Sequence, residues 1–177
     1  MNAYLVNTGS KLVLIDTGAA GLFGPTLGKL VANMDKAPED AKGFFKGAMA
    51  SLNPYIAAGK FKPFDGNTDL VPGIKAQASR GHTAGHTTYV IESNGQRLDL
   101  WGDLMHVAAV QFLEPHVTIA FDTDNKAAMA QRQRAYAAAA KGRYLVAAAH
   151  LPFPGIGHLR AEGKGYAWVP VNYAIPK

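Results

Sequence analysis

The 177-residue chain contains no cysteine, which excludes disulfides and thiolate metal ligands while leaving the redox compartment open. No apolar run approaches the ~18 residues that a membrane-spanning helix needs, and Met1 is followed by neither the charged nor the apolar segment that opens a secretory leader. Charge is sparse, at 18% of residues against 48% hydrophobic, a balance that suits a packed globule and not a disordered segment. No Gly-x-Ser-x-Gly string offers a strained serine nucleophile. No repeat, low-complexity tract or linker divides the chain, so a single domain over 1–177 is expected. Folding a domain of this size buries about 70% of the unfolded chain's surface. These absences lead to the expectation of a soluble, cytoplasmic protein with no membrane partner.

The net charge of +5 raises the question of nucleic acid. The densest basic stretch, Lys126 to Arg143, holds Arg132, Arg134, Lys141 and Arg143, but mostly alanine lies between them and Tyr136 is its one aromatic. Without interleaved stacking platforms this reads as a solvated helix face, and no nucleic-acid partner is expected.

What is present alternates β-prone and helical signals. Tyr4–Val6 and Leu12–Ile15 flank Asn7-Thr8-Gly9-Ser10 as a hairpin, and Thr87–Glu92 pairs with Arg97–Trp101 across Asn94-Gly95, the strongest short hairpin signal in the chain. Further strands are expected at Ile74–Ser79, Val117–Ile119, Tyr144–Ala148 and Tyr166–Val169, with loop from Gly59 to Gly73. Pro25 opens a short helix; Pro38-Glu39-Asp40 opens another that contains Phe44, Phe45 and Met49 and stops at Asn53-Pro54. Asp124-Asn125 caps an Ala-rich helix to about Ala140.

Onto this frame falls a spaced set of imidazoles and a carboxylate. His82 and His86 lie in Arg80-Gly81-His82-Thr83-Ala84-Gly85-His86-Thr87 just before one strand, Asp103 just after its hairpin partner, and His150 directly after the apolar run Tyr144 to Ala149. Neutral imidazole and carboxylate at strand ends are the donors of a hydrolytic metal site.

The order Asp16-Thr17-Gly18, Gly81-His82-Thr83-Ala84-Gly85-His86, Gly102-Asp103 and His150 resembles the metallo-β-lactamase-fold hydrolases. The wording is nearest their methyl parathion hydrolase-like branch, as in Gly43-Phe44-Phe45-Lys46-Gly47-Ala48-Met49 and Val107-Ala108-Ala109-Val110-Gln111-Phe112. The resemblance implies an α/β fold, an αββα sandwich. It assigns His82 and His150 as metal ligands, Asp103 as the carboxylate bridging two metals, and Asp16 as a residue ordering the backbone below the metal loop. His86 is left to shape its turn, His106 and His116 are expected at the surface or behind the ligands unless one of them joins as a further ligand, and His158 in a loop or at the mouth of the site. Asp16-Thr17-Gly18 also looks like the signature of retroviral-type aspartic proteases, whose plan has no place for the Ala-rich helix or the His82 to Asp103 block.

One family element is missing. The string His-x-His-x-Asp-His, which supplies most ligands of the two-metal site, occurs nowhere, and none of the six histidines precedes His82. The expectation is therefore an incomplete, truncated sandwich lacking N-terminal strands and a piece near Asn33-Met34, completed by self-association or segment swapping into a homodimer. His82, Asp103 and His150 could hold one divalent ion such as zinc with open water positions, but not two. The first functional expectation is a weakly active hydrolase of small esters, lactones or organophosphate triesters. His82, Asp103 and His150 would be its catalytic centre and Phe44, Phe45 and Phe112 its pocket walls. The second is a non-catalytic oligomeric remnant or binding module.

Overall fold

The computed structural model describes residues 4–15, 50 and 52–172. Phe44 and Phe45, Asp16, the Pro25 helix and the Asn33-Met34 junction lie outside the described residues. Among the described residues nine strands form two sheets: β1 (Tyr4–Asn7) with β2 (Leu12–Ile15), and a seven-stranded sheet running in sequence order from β3 to β9. These are β3 (Thr68–Val71), β4 (Ile74–Ala78), β5 (Thr87–Ser93), β6 (Gln96–Leu100), β7 (Leu145–Ala147), β8 (Ile156–Glu162) and β9 (Gly165–Pro170). Two helices, α1 (Ala108–Gln111) and α2 (Asn125–Gly142), lie between β6 and β7.

Local chemistry accounts for the connections. In the β1–β2 turn Gly9 takes φ +85° and donates its N–H to Asn7 Oδ1 at 2.9 Å. Asn94 and Gly95 both adopt positive φ, the geometry that matches strand twist in a two-residue hairpin. Helix α2 begins where Asp124 accepts from Ala127 N at 2.9 Å and ends where Arg143, at φ 53°, donates its N–H to Ala139 O.

Every neighbouring pair in the large sheet is antiparallel except β6 and β7, which are parallel with Leu98, Asp99 and Leu100 opposite Leu145, Val146 and Ala147. A parallel pair needs a crossover, and α2 lies within it. Period-two alternation then divides the core. Trp101 and Val146 pack with Leu104, Met105, Phe112, Tyr136 and Ala139 on the helical side. Leu100 and Ala147 pack with Ile15, Tyr4, Val6 and Val13 of the hairpin on the other. The chain thus has a mixed α/β architecture in which the small sheet covers one face of the large one and α2 the other.

Four expectations are corrected. Val117–Ile119 is irregular, because the Val117 carbonyl is taken by Gln111 Nε2 at 3.0 Å and Arg132 Nη1 at 2.6 Å. Residues 52–57 are helical through Asn53-Pro54, and the Pro54 carbonyl still accepts from Ala58 N at 3.1 Å. The stretch expected as loop before Gly73 contains β3, paired to β4 with a register shift between Asp69 and Val71. Arg132 does not belong to a solvated face: its side chain is 0% exposed.

Candidate metal centre

Strand register brings the candidate residues together. Leu100 of β6 lies opposite Ala147 of β7, and Asp103 and His150 each follow by three residues, so the two emerge side by side at the carboxyl edge of the parallel pair. Trp101 N donates to Ala147 O at 2.7 Å and Ala149 N to Gly102 O at 3.2 Å, which carries the pairing past the strand ends. β5 is antiparallel to β6, so the turn entering β5, with His82 and His86, sits at this same edge. Polar groups gathered beyond the carboxyl ends of parallel strands are the usual location of α/β active sites.

His150 Nε2 lies 3.1 Å from Asp103 Oδ1, and His82 Nε2 lies 3.5 Å from Asp103 Oδ2. A third imidazole joins them. The His106 ring centroid is 4.7 Å from that of His82 and 4.4 Å from that of His150. His82, Asp103 and His106 offer ligand atoms all within 4.8 Å of one another. His106 was expected outside the ligand set; the 3-10 turn Gly102–Leu104 folds the chain back so that a residue three positions beyond Asp103 reaches the cluster. His106 Nδ1 is buried with no hydrogen-bond partner. Three imidazoles around one carboxylate, one of them with an orphaned buried nitrogen, is a donor set that suits a divalent ion.

His86 stands behind the cluster. Its Nε2 accepts from Asp103 N at 3.1 Å, so its proton must reside on Nδ1, which faces Ser79 Oγ at 2.7 Å and Ser79 O at 3.1 Å. The ring therefore ties the Asp103 turn to the end of β4, in keeping with the structural role expected of it. His116 is exposed beside Glu114 at 3.5 Å, and His158 lies in β8 with Nδ1 3.2 Å from Tyr144 O. Phe112, expected as a pocket wall, is buried in the core between Tyr136 and Trp168.

Electrostatics follow from this crowding. The Asp103 hydrogen bond raises the His82 pKa against the opposing effect of burial, with Asp122 adding to the rise. Burial would raise Asp103, but the His82 hydrogen bond and the nearby charges of His150, His106 and His82 outweigh it and hold the carboxyl below its usual range. His106 is pushed down to about 4 by burial and by repulsion from His150 and His82. His86 is lowered to about 4, chiefly by burial. At neutral pH the cluster thus presents an ionised carboxylate and a neutral His106, the protonation states a metal requires.

A sheet of this topology, covered by a helix on one face and a second sheet on the other, with imidazoles and a carboxylate at its edge, is shared with solved hydrolase structures, and the likeness gives the chain an incomplete metallo-β-lactamase fold. The solved structure of the hydrolase AbOPH of the beta lactamase superfamily is 35% identical, with TM-score 0.71 over 80% of this chain and 50% of that one. AidC, a dizinc quorum-quenching lactonase, is 24% identical with TM-score 0.68 over 90% of this chain and 52% of its own. A probable metal-dependent hydrolase from Staphylococcus aureus is 24% identical with TM-score 0.55, covering 67% of this chain and 42% of that one. The chain therefore spans about half the length of the solved structures it matches. No protein-family model and no curated protein matches it. No helix among the described residues is long and apolar enough to cross a membrane.

Proposed function

We propose that this chain carries a metal-dependent hydrolase centre for small esters, lactones or organophosphate triesters. The observation that carries it is the convergence of His82, Asp103 and His106 within 4.8 Å, with His150 against Asp103. Its likeness to AbOPH supports the same class. One zinc-type ion would be held by His82 and Asp103 together with His106 or His150. When bound, such an ion supplies the positive charge that polarises an ester carbonyl or phosphoryl group and makes water acidic enough to attack near neutrality. The chain's own groups do the rest. Asp103, kept ionised by its imidazole neighbours, faces His150 Nε2 with one oxygen and His82 Nε2 with the other. His150 Nε2, 3.1 Å from Asp103 Oδ1, lies at the rim of the cluster, where its side chain is 29% exposed and open to an entering substrate.

Purified protein should bind about one zinc ion per chain and hydrolyse p-nitrophenyl acetate or a γ-lactone slowly. Substituting Ala for His82, His106 or His150 separately should weaken zinc binding about tenfold or more wherever a direct ligand is lost. Stoichiometric zinc that survives all three substitutions, or hydrolysis unaffected by chelator, would refute this proposal.

A further inference from the structure

Behind His82 lies a buried ion pair that neither core packing nor metal ligation accounts for. Asp122 Oδ1 is 3.0 Å from His82 Nδ1, its Oδ2 accepts from Ile119 N at 3.2 Å and lies 3.5 Å from Arg132 Nη2, and the Asp122 and Arg132 side chains are both fully buried. Arg132 also donates from Nε to Leu104 O at 2.9 Å and from Nη1 to Val117 O at 2.6 Å. One guanidinium on α2 therefore grips the turn that carries Asp103 and the loop that carries Asp122. A buried charge pair adds little stability over apolar packing of the same volume, so its placement against the back of His82 calls for a role.

We propose that Asp122, anchored by Arg132, is a positioning residue that fixes His82 with its proton on Nδ1 and its Nε2 turned toward Asp103. His82 faces a carboxylate at each ring nitrogen, and Asp122 is the nearer, 3.0 Å from Nδ1 against 3.5 Å between Nε2 and Asp103 Oδ2, so a neutral ring keeps its one proton on Nδ1 and leaves the Nε2 lone pair toward the cluster. The backbone is arranged to the same end. Thr123 N donates to His82 O and Asp124 N to Gly81 O, both at 2.9 Å, so the Asp122 loop and the His82 turn move as one body. The consequence for metal affinity rests on the proposed function; the tautomer is a property of the metal-free chain and does not.

Long-range proton–nitrogen correlation spectra of the full metal-free chain, labelled at histidine and held at alkaline pH where the ring is neutral, read the tautomer directly. His82 should show Nδ1–H in the wild type and shift toward the Nε2–H form that an unconstrained imidazole prefers in Asp122→Ala. Zinc affinity, measured by competition with a chromophoric chelator, should fall about 10–100-fold in Asp122→Ala. It should fall less in Asp122→Asn, which keeps the size and loses the charge. Nδ1–H in a wild-type chain that binds no zinc would refute the metal-centre proposal and support this one. A wild-type His82 protonated on Nε2 would overturn it whatever the variants do. So would a folded Asp122→Ala or Asp122→Asn variant with wild-type tautomer and zinc affinity.

Discussion

Gly81→Ala is expected to damage both the fold and the metal centre, and the size of the effect follows from where Gly81 sits. At φ +148° it occupies backbone space that L-residues rarely enter, and a Cβ there would lie 2.3 Å from Ala128 N, 2.5 Å from Ala128 Cα and 2.7 Å from Ala127 C. All three atoms are main chain in the first turn of α2, so no side-chain rotation relieves the clash. Ordinary contact begins near 3.4 Å, so the helix start must retreat by about 1 Å. That retreat pulls on the bonds from Thr123 N to His82 O and from Asp124 N to Gly81 O, which tie this turn to the helix start. Overpacking of this kind costs about 1–3 kcal/mol, and an unfavourable φ,ψ adds about 1–3 more. The control is Gly163→Ala, at φ +57° with nothing within 4 Å of the added Cβ, which carries the backbone cost alone. Urea unfolding should place Gly81→Ala about 2 kcal/mol or more below Gly163→Ala, with zinc affinity reduced only in the former. Equal stability of the two variants, or Gly81→Ala with undiminished zinc affinity, would show that α2 does not brace the His82 turn.

Two further outcomes are expected. Unfolded His86 takes up a proton near 6.5 while the folded ring resists until about 4; the unfolded state therefore binds more protons in this window, and stability falls as pH drops through it. The shift corresponds to about 3 kcal/mol, with His106 acting in the same direction. His82, raised, contributes stability that is present below 6.5 and lost only at higher pH, and Asp103, lowered, loses its contribution only below 3.8, so neither cancels the slope. Denaturant midpoints of metal-free protein that stay flat from pH 6.5 to 4 would contradict the buried, neutral His86. Self-association is expected through the outer face of β1 and β2, where Leu5 and Leu12 are 65% and 69% exposed and the two strands pair only with each other among the described residues. Sedimentation equilibrium should show a dimer that Leu5→Lys with Leu12→Lys dissociates; a wild-type monomer at micromolar concentration would refute it.

How much of this was legible beforehand depends on the range of the determining interactions. The hairpins were readable because their signals are local: Asn94-Gly95 needs only its own positive φ values, and Gly9 its own turn. Asp103 and His150 were readable as strand-end residues, but their adjacency depends on β6 and β7 being parallel neighbours in a register that pairs Leu100 with Ala147. Strand β8 has only a weak local signal, because Gly157 and the charged Arg160 and Glu162 interrupt its apolar residues, although buried Gly157 and Leu159 alternate with half-buried Ile156 and His158. His106 carried a faint signal, its spacing of three residues from Asp103, which gains meaning only once a 3-10 turn reverses the chain there. Arg132 is the instructive failure. In an alanine-rich helix an arginine reads as a solvated charge, and the helix's other basic residues, Lys126, Arg134 and Lys141, are indeed exposed. What sets Arg132 apart is carbonyls from two distant loops, Leu104 and Val117, and a carboxylate from a third position, Asp122. Helix periodicity places Ala128, Arg132, Tyr136 and Ala139 on one buried stripe, spaced by four, four and three residues. That spacing was available in the sequence as a reason to ask what a cation would meet if it faced inward. A helix whose apolar residues are mostly alanine can approach a sheet closely, and an arginine on its inner face then reaches past the helix surface to the loops beyond. The same composition that suggested a surface helix is what lets this one hold the back of the His82 turn.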